Sequence, residues 1–392
     1  MRVLFFEAGE CGGSVWSLSN ILKGLRPLVR EVGLVTHYRH TGPVNLSSLD
    51  CVRFWACLDL PPKVRPRPET VTRTFRIPHP TAFAFRYFVA TLRALQRFQP
   101  DIVYLNNDIE DHIPAVTAAK LLGIPVVCHW RMANHLLPSE KAFAKLIDKL
   151  IVLTKAHQEI VKADGIPSEK IVQLYNPCDG AEFDSQSTKE LTAPVRDDGS
   201  VYVVQTGALN ERKRPGLAID AFVLAKSKCP NLKLILAGDG PARAELVERV
   251  ELEGLGESVM VIGYCSQIPS LLRHCHIGLL VARTEGFPNC VVEYMLGRLP
   301  VVSTKMTAID ELVVDQHNGF VIPEASAPMI AEAMIKLYRS PELRRQMGNA
   351  GRLFVTDERF GRERHIQTIY GMLRQVVNKK EPVGVDSNAQ AG

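Results

Sequence analysis

The feature that most constrains this chain is a strand–helix alternation that runs twice, once on each side of a polar stretch. In the first part, short apolar runs at 2–6, 32–36, 101–105, 126–129, 149–154 and 171–174 read as strands. Between them lie helical stretches at 14–25, 83–98 and 115–122, the first carrying Val15, Leu18, Ile21, Leu22 and Leu25 on one stripe. Residues 185–200, SQSTKELTAPVRDDGS, are polar and unpatterned. The alternation then resumes, with strands at 201–206, 232–237, 259–262, 277–281, 300–303 and 319–322. Helices at 215–227, 242–253, 327–338, 341–353 and 360–377 accompany them. Strands of this kind, each followed by a helix, build parallel sheets covered on both faces. A chain of 392 residues is too long for one ordinary domain. The expectation is an α/β protein of two Rossmann-like parallel-sheet domains facing a central cleft, with residues 1–185 and 200–358 as the domains and 186–199 as the linker. A helix over 359–377 is expected to cross back to the first domain, followed by a disordered tail, 378–392.

Composition removes several function classes. Hydrophobic residues are 46% and charged residues 23%, so whole-chain disorder is excluded. No apolar run reaches the ~18 residues that span a bilayer. The opening MRVLFFEAGECGG lacks the long apolar core of a signal peptide, so a cytoplasmic location is expected. The nine cysteines are dispersed without a C-x-x-C pair and read as reduced core thiols. No cysteine–histidine cluster or H-E-x-x-H suggests a metal, and none is expected.

Net charge is +5, but residues 1–100 hold 14 Lys and Arg against 6 Asp and Glu. The excess gathers in Lys63, Arg65, Arg67, Arg73, Arg76, Arg86, Arg93 and Arg97, interleaved with Phe75, Phe83, Phe85, Tyr87 and Phe88. Such a stretch over 63–97 suits an anionic membrane surface or an anionic acceptor, or is a solvated face with its aromatics turned inward. No nucleic-acid-binding motif accompanies it.

Gly9, Gly12 and Gly13 lie between the first strand and the first helix, where an open sheet presents N–H groups and a helix dipole to an anion. The dinucleotide pattern G-x-G-x-x-G is absent. In the second half, the strand at 201–206 runs into Gly207-Ala-Leu-Asn-Glu-Arg-Lys213-Arg-Pro215, a cationic turn opening a helix and suited to a diphosphate. The next strand ends in Gly238-Asp-Gly240-Pro241, where glycines admit a flat ring or simply turn the chain. The run Glu285-Gly-Phe-Pro-Asn-Cys-Val-Val-Glu293 sets two carboxylates about two helical turns apart, with Asn289 placed to cap the helix. Carboxylates accept well from the paired hydroxyls of ribose and hexose.

Taken in order, the early Gly12-Gly13, His129, Asn176-Pro-Cys-Asp179, Thr206-Gly-Ala-Leu…Lys213, Leu236-Ala-Gly-Asp-Gly-Pro241, Glu285-x7-Glu293, Gly297-Arg-Leu-Pro-Val-Val-Ser303 and Asn318-Gly319 resemble the retaining glycosyltransferases of the GT-B fold, family 4, over roughly residues 1–375. The resemblance implies a nucleotide-sugar donor, moving a hexosyl unit from a UDP-sugar, or alternatively a GDP-sugar, to a glycan or lipid-linked acceptor. It implies Glu293 on the ribose, Glu285 near the transferred sugar, Lys213 on the diphosphate and His129 beside the anomeric carbon. The implied donor-binding set is Gly12, Gly13, Arg212, Gly238, Tyr264, Phe287, Asn289, Val292 and Glu293, with Tyr264 bordering the base. No metal cofactor is implied, and no Asp-x-Asp occurs in the chain. The family commonly reads Gly-Arg-Leu where this chain reads Gly207-Ala208-Leu209, so a phosphate-binding arginine is missing and Arg212 or Arg214 stands as its substitute. Another two-Rossmann enzyme, such as an epimerase or phosphorylase, and a degenerate glycan-binding or scaffold protein are the other readings.

Overall fold

The computed structural model describes residues 1–9, 13–37, 45–58, 80–191, 195 and 198–379. The chain divides into two compact units. One comprises Met1–Val152, Gln158–Leu174 and Ile366–Gly392; the other comprises Leu153–His157 and Tyr175–His365. The division between the main bodies thus falls at 174/175 instead of in the polar stretch.

In the first unit the order is β1 (Arg2–Glu7), α1 (Gly13–Leu25), β2 (Glu31–Thr36), β3 (Phe54–Cys57), α2 (Pro80–Phe98), β4 (Ile102–Asn106), α3 (Ile109–Leu121), β5 (Val126–Trp130), α4 (Pro138–Ala144), β6 (Lys149–Val152), α5 (Lys155–Ala163) and β7 (Ile171–Gln173), with the first residues of α5 counted in the other unit. Its seven strands are parallel, in the order β3-β2-β1-β4-β5-β6-β7. Alternate residues of β1 supply opposite faces, as the pleat requires. Leu4 and Phe6 join Val103, Leu105 and Ala115 in one core, while Val3 and Phe5 join Leu18, Ile21 and Leu22 in the other.

The second unit continues with α6 (Gly180–Ser187), β8 (Val201–Thr206), α7 (Pro215–Lys226), β9 (Leu232–Ala237), α8 (Arg243–Leu252), β10 (Val259–Gly263), α9 (Ile268–Arg273), β11 (Ile277–Leu280), α10 (Asn289–Leu296), β12 (Val301–Thr304), β13 (Gly319–Ile322), α11 (Ala327–Arg339) and α12 (Pro341–Val355). Its six strands are also parallel, in the order β10-β9-β8-β11-β12-β13. The last helix, α13 (Arg362–Asn378), begins in the second unit, and its residues from Ile366 onward belong to the first. There Ile366, Ile369 and Leu373 complete the core under α1, and a Cβ on Gly24 would lie 2.6 Å from Ile366.

Several elements differ from the sequence reading. Helix α3 starts at Ile109 and carries Pro114 within it, so the proline does not mark the helix start expected at 115. Strand β3 and helices α4, α5 and α6 were not expected, and α6 runs into the stretch read as linker. Arg86, Arg93 and Arg97 of the basic stretch are exposed on α2, whereas Lys63, Arg65, Arg67, Arg73 and Arg76 lie outside the described residues. The aromatics divide: Tyr87 is buried and Phe85 is exposed. The expected tail, 378–392, lies outside the described residues from position 380. Among the described residues, no helix is long and apolar enough to cross a membrane.

Candidate active site

In the second unit the site grows from the turn after β8. The chain leaves Thr206 through Gly207, whose φ of +123° is open to glycine. The following residues form a 3₁₀ turn, Glu211–Lys213, which Asn210 caps by accepting from the Lys213 N–H at 3.1 Å. Gln205 of β8 donates its Nε2 to the Lys213 carbonyl at 3.0 Å. Thus the lysine backbone is fixed from both sides, and its side chain runs back past Gly207, where a Cβ would sit 3.4 Å from the Lys213 Cε. Arg214 follows at φ +47° and opens α7 ahead of Pro215.

Lys213 and Glu285 are both buried, and Lys213 Nζ lies 2.8 Å from Glu285 Oε1. Arg212 pairs with the same oxygen and donates to the Thr284 carbonyl at 3.0 Å. The turns are also tied by the Arg283 N–H, which donates to the Arg212 carbonyl at 2.8 Å. One carboxylate therefore holds two cations. Burial opposes the charge on Lys213, but the neighbouring Cys290 and Glu285 outweigh it and hold the ammonium above its ordinary value. Of the two candidates for the missing arginine, the structure places Arg212 in this cluster.

Helix α10 supplies the second carboxylate. Asn289 does not cap it: Pro288 holds the cap position, and Asn289 is the first helical residue. Its Oδ1 instead accepts from Asn176 Nδ2 at 2.9 Å. The Asn176-Pro-Cys-Asp179 segment is a fixed support, since Cys178 pairs with Phe360 and Gly361 and Asp179 caps α6. Phe287 is buried against Tyr175, and the Val292 side chain is also in the core, so neither side chain is free to reach a ligand. Any contact from these two positions belongs to their backbone. Glu293 is partly exposed, and its carboxylate has no hydrogen-bond or ion-pair partner among the described residues. Burial raises it to about 7, with Lys213 pulling the other way.

Of the remaining expected residues, Gly238 and Tyr264 lie in the second unit, and Gly12, Gly13 and His129 in the first. Gly238 is packed, not open: a Cβ there would lie 1.8 Å from the Gly207 carbonyl oxygen, and one on Gly240 would lie 2.4 Å from that of Leu209. These glycines let the turns after β8 and β9 lie on one another. Tyr264 is exposed just beyond β10. In the first unit Gly13 begins α1, and Gly12 lies outside the described residues. His129 is fully buried in β5, with its Nδ1 2.7 Å from the Tyr104 hydroxyl. Asn210, Gln205 and Asn176 were missed as supports; the polar residue before a short turn was the available signal for Asn210. Among the described residues, no group of three or more His, Cys, Asp or Glu could hold a metal ion.

Comparison with known proteins gives this geometry a setting. A family model described as "Glycosyl transferase 4-like domain" matches residues 12–177, and one described as "Glycosyl transferases group 1" matches residues 187–354. The chain is 27% identical to an alpha-D-kanosaminyltransferase of Streptomyces kanamyceticus, over 58% of this chain and 65% of that protein. It is thus aligned with just under two thirds of that relative's length. It is 28% identical to the putative glycosyltransferase EpsD of Bacillus subtilis, over 64% of this chain and 68% of that one. The Anabaena protein Alr3699/HepE, solved with UDP and glucose, superposes with a TM-score of 0.73 at 19% identity, covering 96% of this chain and all of that one. The two family models together take in every strand but β1 and the turn that carries Lys213, and the chain belongs to the family 4 glycosyltransferases of the GT-B fold.

Proposed function

We propose that this protein transfers a hexosyl unit from a nucleotide diphosphate sugar, a UDP-sugar before a GDP-sugar, to a glycan or lipid-linked acceptor with retention at the anomeric carbon. The observation that carries the reading is the cluster in which the partly exposed Arg212 and the buried Lys213 pair with the buried Glu285, with the Glu293 carboxylate on α10 unpartnered among the described residues. Two fixed cations suit the charge that develops on a departing diphosphate. A carboxylate with no protein partner suits a pair of ribose hydroxyls. The UDP held by Alr3699/HepE favours uridine as the base.

In this reading the bond from the anomeric carbon to the β-phosphate oxygen breaks, and the acceptor oxygen bonds to the same face of that carbon. The acceptor's proton passes to the leaving phosphate. Lys213 and Arg212 neutralise the diphosphate, Glu285 turns to the sugar, and Glu293 holds the ribose. Since the cations come from the chain, no metal is required by this scheme. Gly12, Gly13 and His129 are assigned to the substrate from the first unit, whose loops select the acceptor. A degenerate glycan-binding protein is the second reading, and Ala208 is the residue that favours it.

Incubating the protein with a panel of UDP- and GDP-sugars, and reading release of the nucleotide diphosphate, tests the proposal. Release from one of them sustains it. Failure of every nucleotide diphosphate to bind at millimolar concentration would leave the scaffold reading. We also propose a peripheral place at an anionic membrane surface, through the basic stretch 63–97 and the exposed Arg86, Arg93 and Arg97. Flotation with anionic and neutral vesicles tests that, and equal binding to both, or to neither, removes it.

A further inference from the structure

A second polar cluster lies in the first unit, at the carboxyl ends of β1, β4 and β5. Glu7, the last residue of β1, is fully buried. It accepts from the Gly9 N–H at 2.6 Å and from the side-chain amides of Asn106 and Asn107. Asn106 Oδ1 accepts twice from Arg131, at 3.0 and 2.8 Å, and Arg131 donates onward to the Ser17 hydroxyl of α1 at 2.9 Å. The Asn106 amide also reaches the Ser14 carbonyl at 3.5 Å. One end of the β1–α1 turn is therefore tied to Glu7 directly, and the other is tied to it through Asn106 and Arg131. Gly9 is required by this packing, since a Cβ there would lie 2.9 Å from the Glu7 carboxylate.

A buried carboxylate is costly unless donors meet it. Three donors and a nearby guanidinium do so here, yet burial still raises Glu7 to about 7. A leucine at this strand end would pack at no such cost. Joining two ends of a turn is what the acid adds. We propose that Glu7 is a positioning residue for the transfer reaction, holding both ends of the β1–α1 turn in the arrangement in which that turn serves the substrate. This rests on the assignment of that turn to the substrate made above. The titratable or charged groups around Glu7 are Arg131 beyond β5, Tyr104 on β4, His129 on β5, His37 after β2 and His112 on α3. The His37 N–H donates to the Glu7 carbonyl, and His112 Nε2 lies 2.7 Å from the Asn106 carbonyl.

The test is amide hydrogen exchange over residues 8–9 and 14–18, read beside steady-state kinetics. Glu7→Gln puts a donor among donors and loses one acceptor. Its expected result is exchange at least tenfold faster in those amides and kcat at least tenfold lower. Affinity for UDP should fall by less than kcat does, because Gly12 and Gly13 belong to the donor-binding set while its other members lie in the second unit. In the wild type, protection corrected for intrinsic rate should fall as pH drops from 8 to 6, and Glu7→Gln should lack that dependence. Unchanged exchange in Glu7→Gln, or a pH dependence that persists in it, overturns the proposal. Faster exchange with unchanged kcat also overturns it. Should the wild type release no nucleotide from any sugar donor, the exchange result still decides whether Glu7 holds the turn, and the functional reading fails separately. Should Glu7→Gln not fold, Asn107→Ala takes its place. Removing a donor from the carboxylate must move the pH at which protection is lost upward, and an unmoved midpoint overturns the proposal.

Discussion

The raised carboxyl of Glu293 makes a quantitative prediction about donor binding. Burial lifts it to about 7, against an ordinary 4.5, with Lys213 opposing the rise. Above that value the side chain is a carboxylate and accepts from two hydroxyls; below it, a proton occupies one of the accepting positions. At pH 6 roughly nine-tenths of the free protein carries the proton, so a donor requiring the carboxylate binds about tenfold more weakly than at pH 8, a loss of about 1.4 kcal/mol. UDP-glucose is the probe, because its diphosphate is a diester and does not titrate in this range, whereas the terminal phosphate of UDP does. Calorimetry at pH 6, 7 and 8 gives the affinity, and repeating it in buffers of different ionisation enthalpy counts the protons released. Glu293→Gln should bind weakly at every pH, with no proton release. Lys213→Met removes the cation that lowers Glu293 and should move the midpoint upward. A UDP-glucose affinity that is flat from pH 6 to pH 8 in the wild type would refute the assignment of Glu293 to the ribose.

Other outcomes are sharp enough to measure directly. Lys213→Ala should lower turnover by more than tenfold, about 1.4 kcal/mol of transition-state stabilisation or greater, in a nucleotide-release assay; near-wild-type turnover would place the phosphate site elsewhere. Arg212→Ala should weaken UDP-glucose binding, while Arg214→Ala should leave it within about twofold, a contrast that calorimetry reads. Gly238→Ala forces a methyl into the Gly207 carbonyl and should cost about 1–3 kcal/mol of stability in thermal melts, with an unchanged melt counting against the packing described.

The fold was legible because the sheets are buried on both faces. Strands at 201–206, 232–237 and 319–322 coincide with β8, β9 and β13, whose cores at 201–204, 234–237 and 320–322 are apolar runs. The edge strand β3 is an apolar run of only four residues of mixed exposure, too short for periodicity to separate it from a loop. Helix α5 was missed because it is short and polar, with one narrow buried stripe. At the site, residue types were legible and partners were not. The cationic turn and the two glutamates stand out in the sequence, but the pairing of Lys213 with Glu285 spans two separate loops. Asn289 looked like a cap because it is the first polar residue before an apolar helix. Its side chain is engaged by Asn176, 113 residues earlier, and local pattern carries no trace of that. Glu7 was invisible for a related reason: an acid at a strand end reads as the start of a polar loop, and only the converging amides show it to be interior.

The departure at Ala208 is best understood through the geometry of Arg212. A residue one place after Gly207 leaves the sheet edge directly, whereas Arg212 lies within the 3₁₀ turn that Asn210 caps. Its backbone carbonyl is held by the Arg283 N–H and its guanidinium by the Thr284 carbonyl and Glu285. Under the proposed function, the second cation beside Lys213 is therefore supplied by Arg212, further along the same turn. One carboxylate, Glu285, pairs with both of these cations. Under the proposed function the donor's diphosphate must compete with Glu285 for both. That competition frees the carboxylate as the sugar arrives, so the same event that charges the phosphate site also releases the group assigned to the transferred ring.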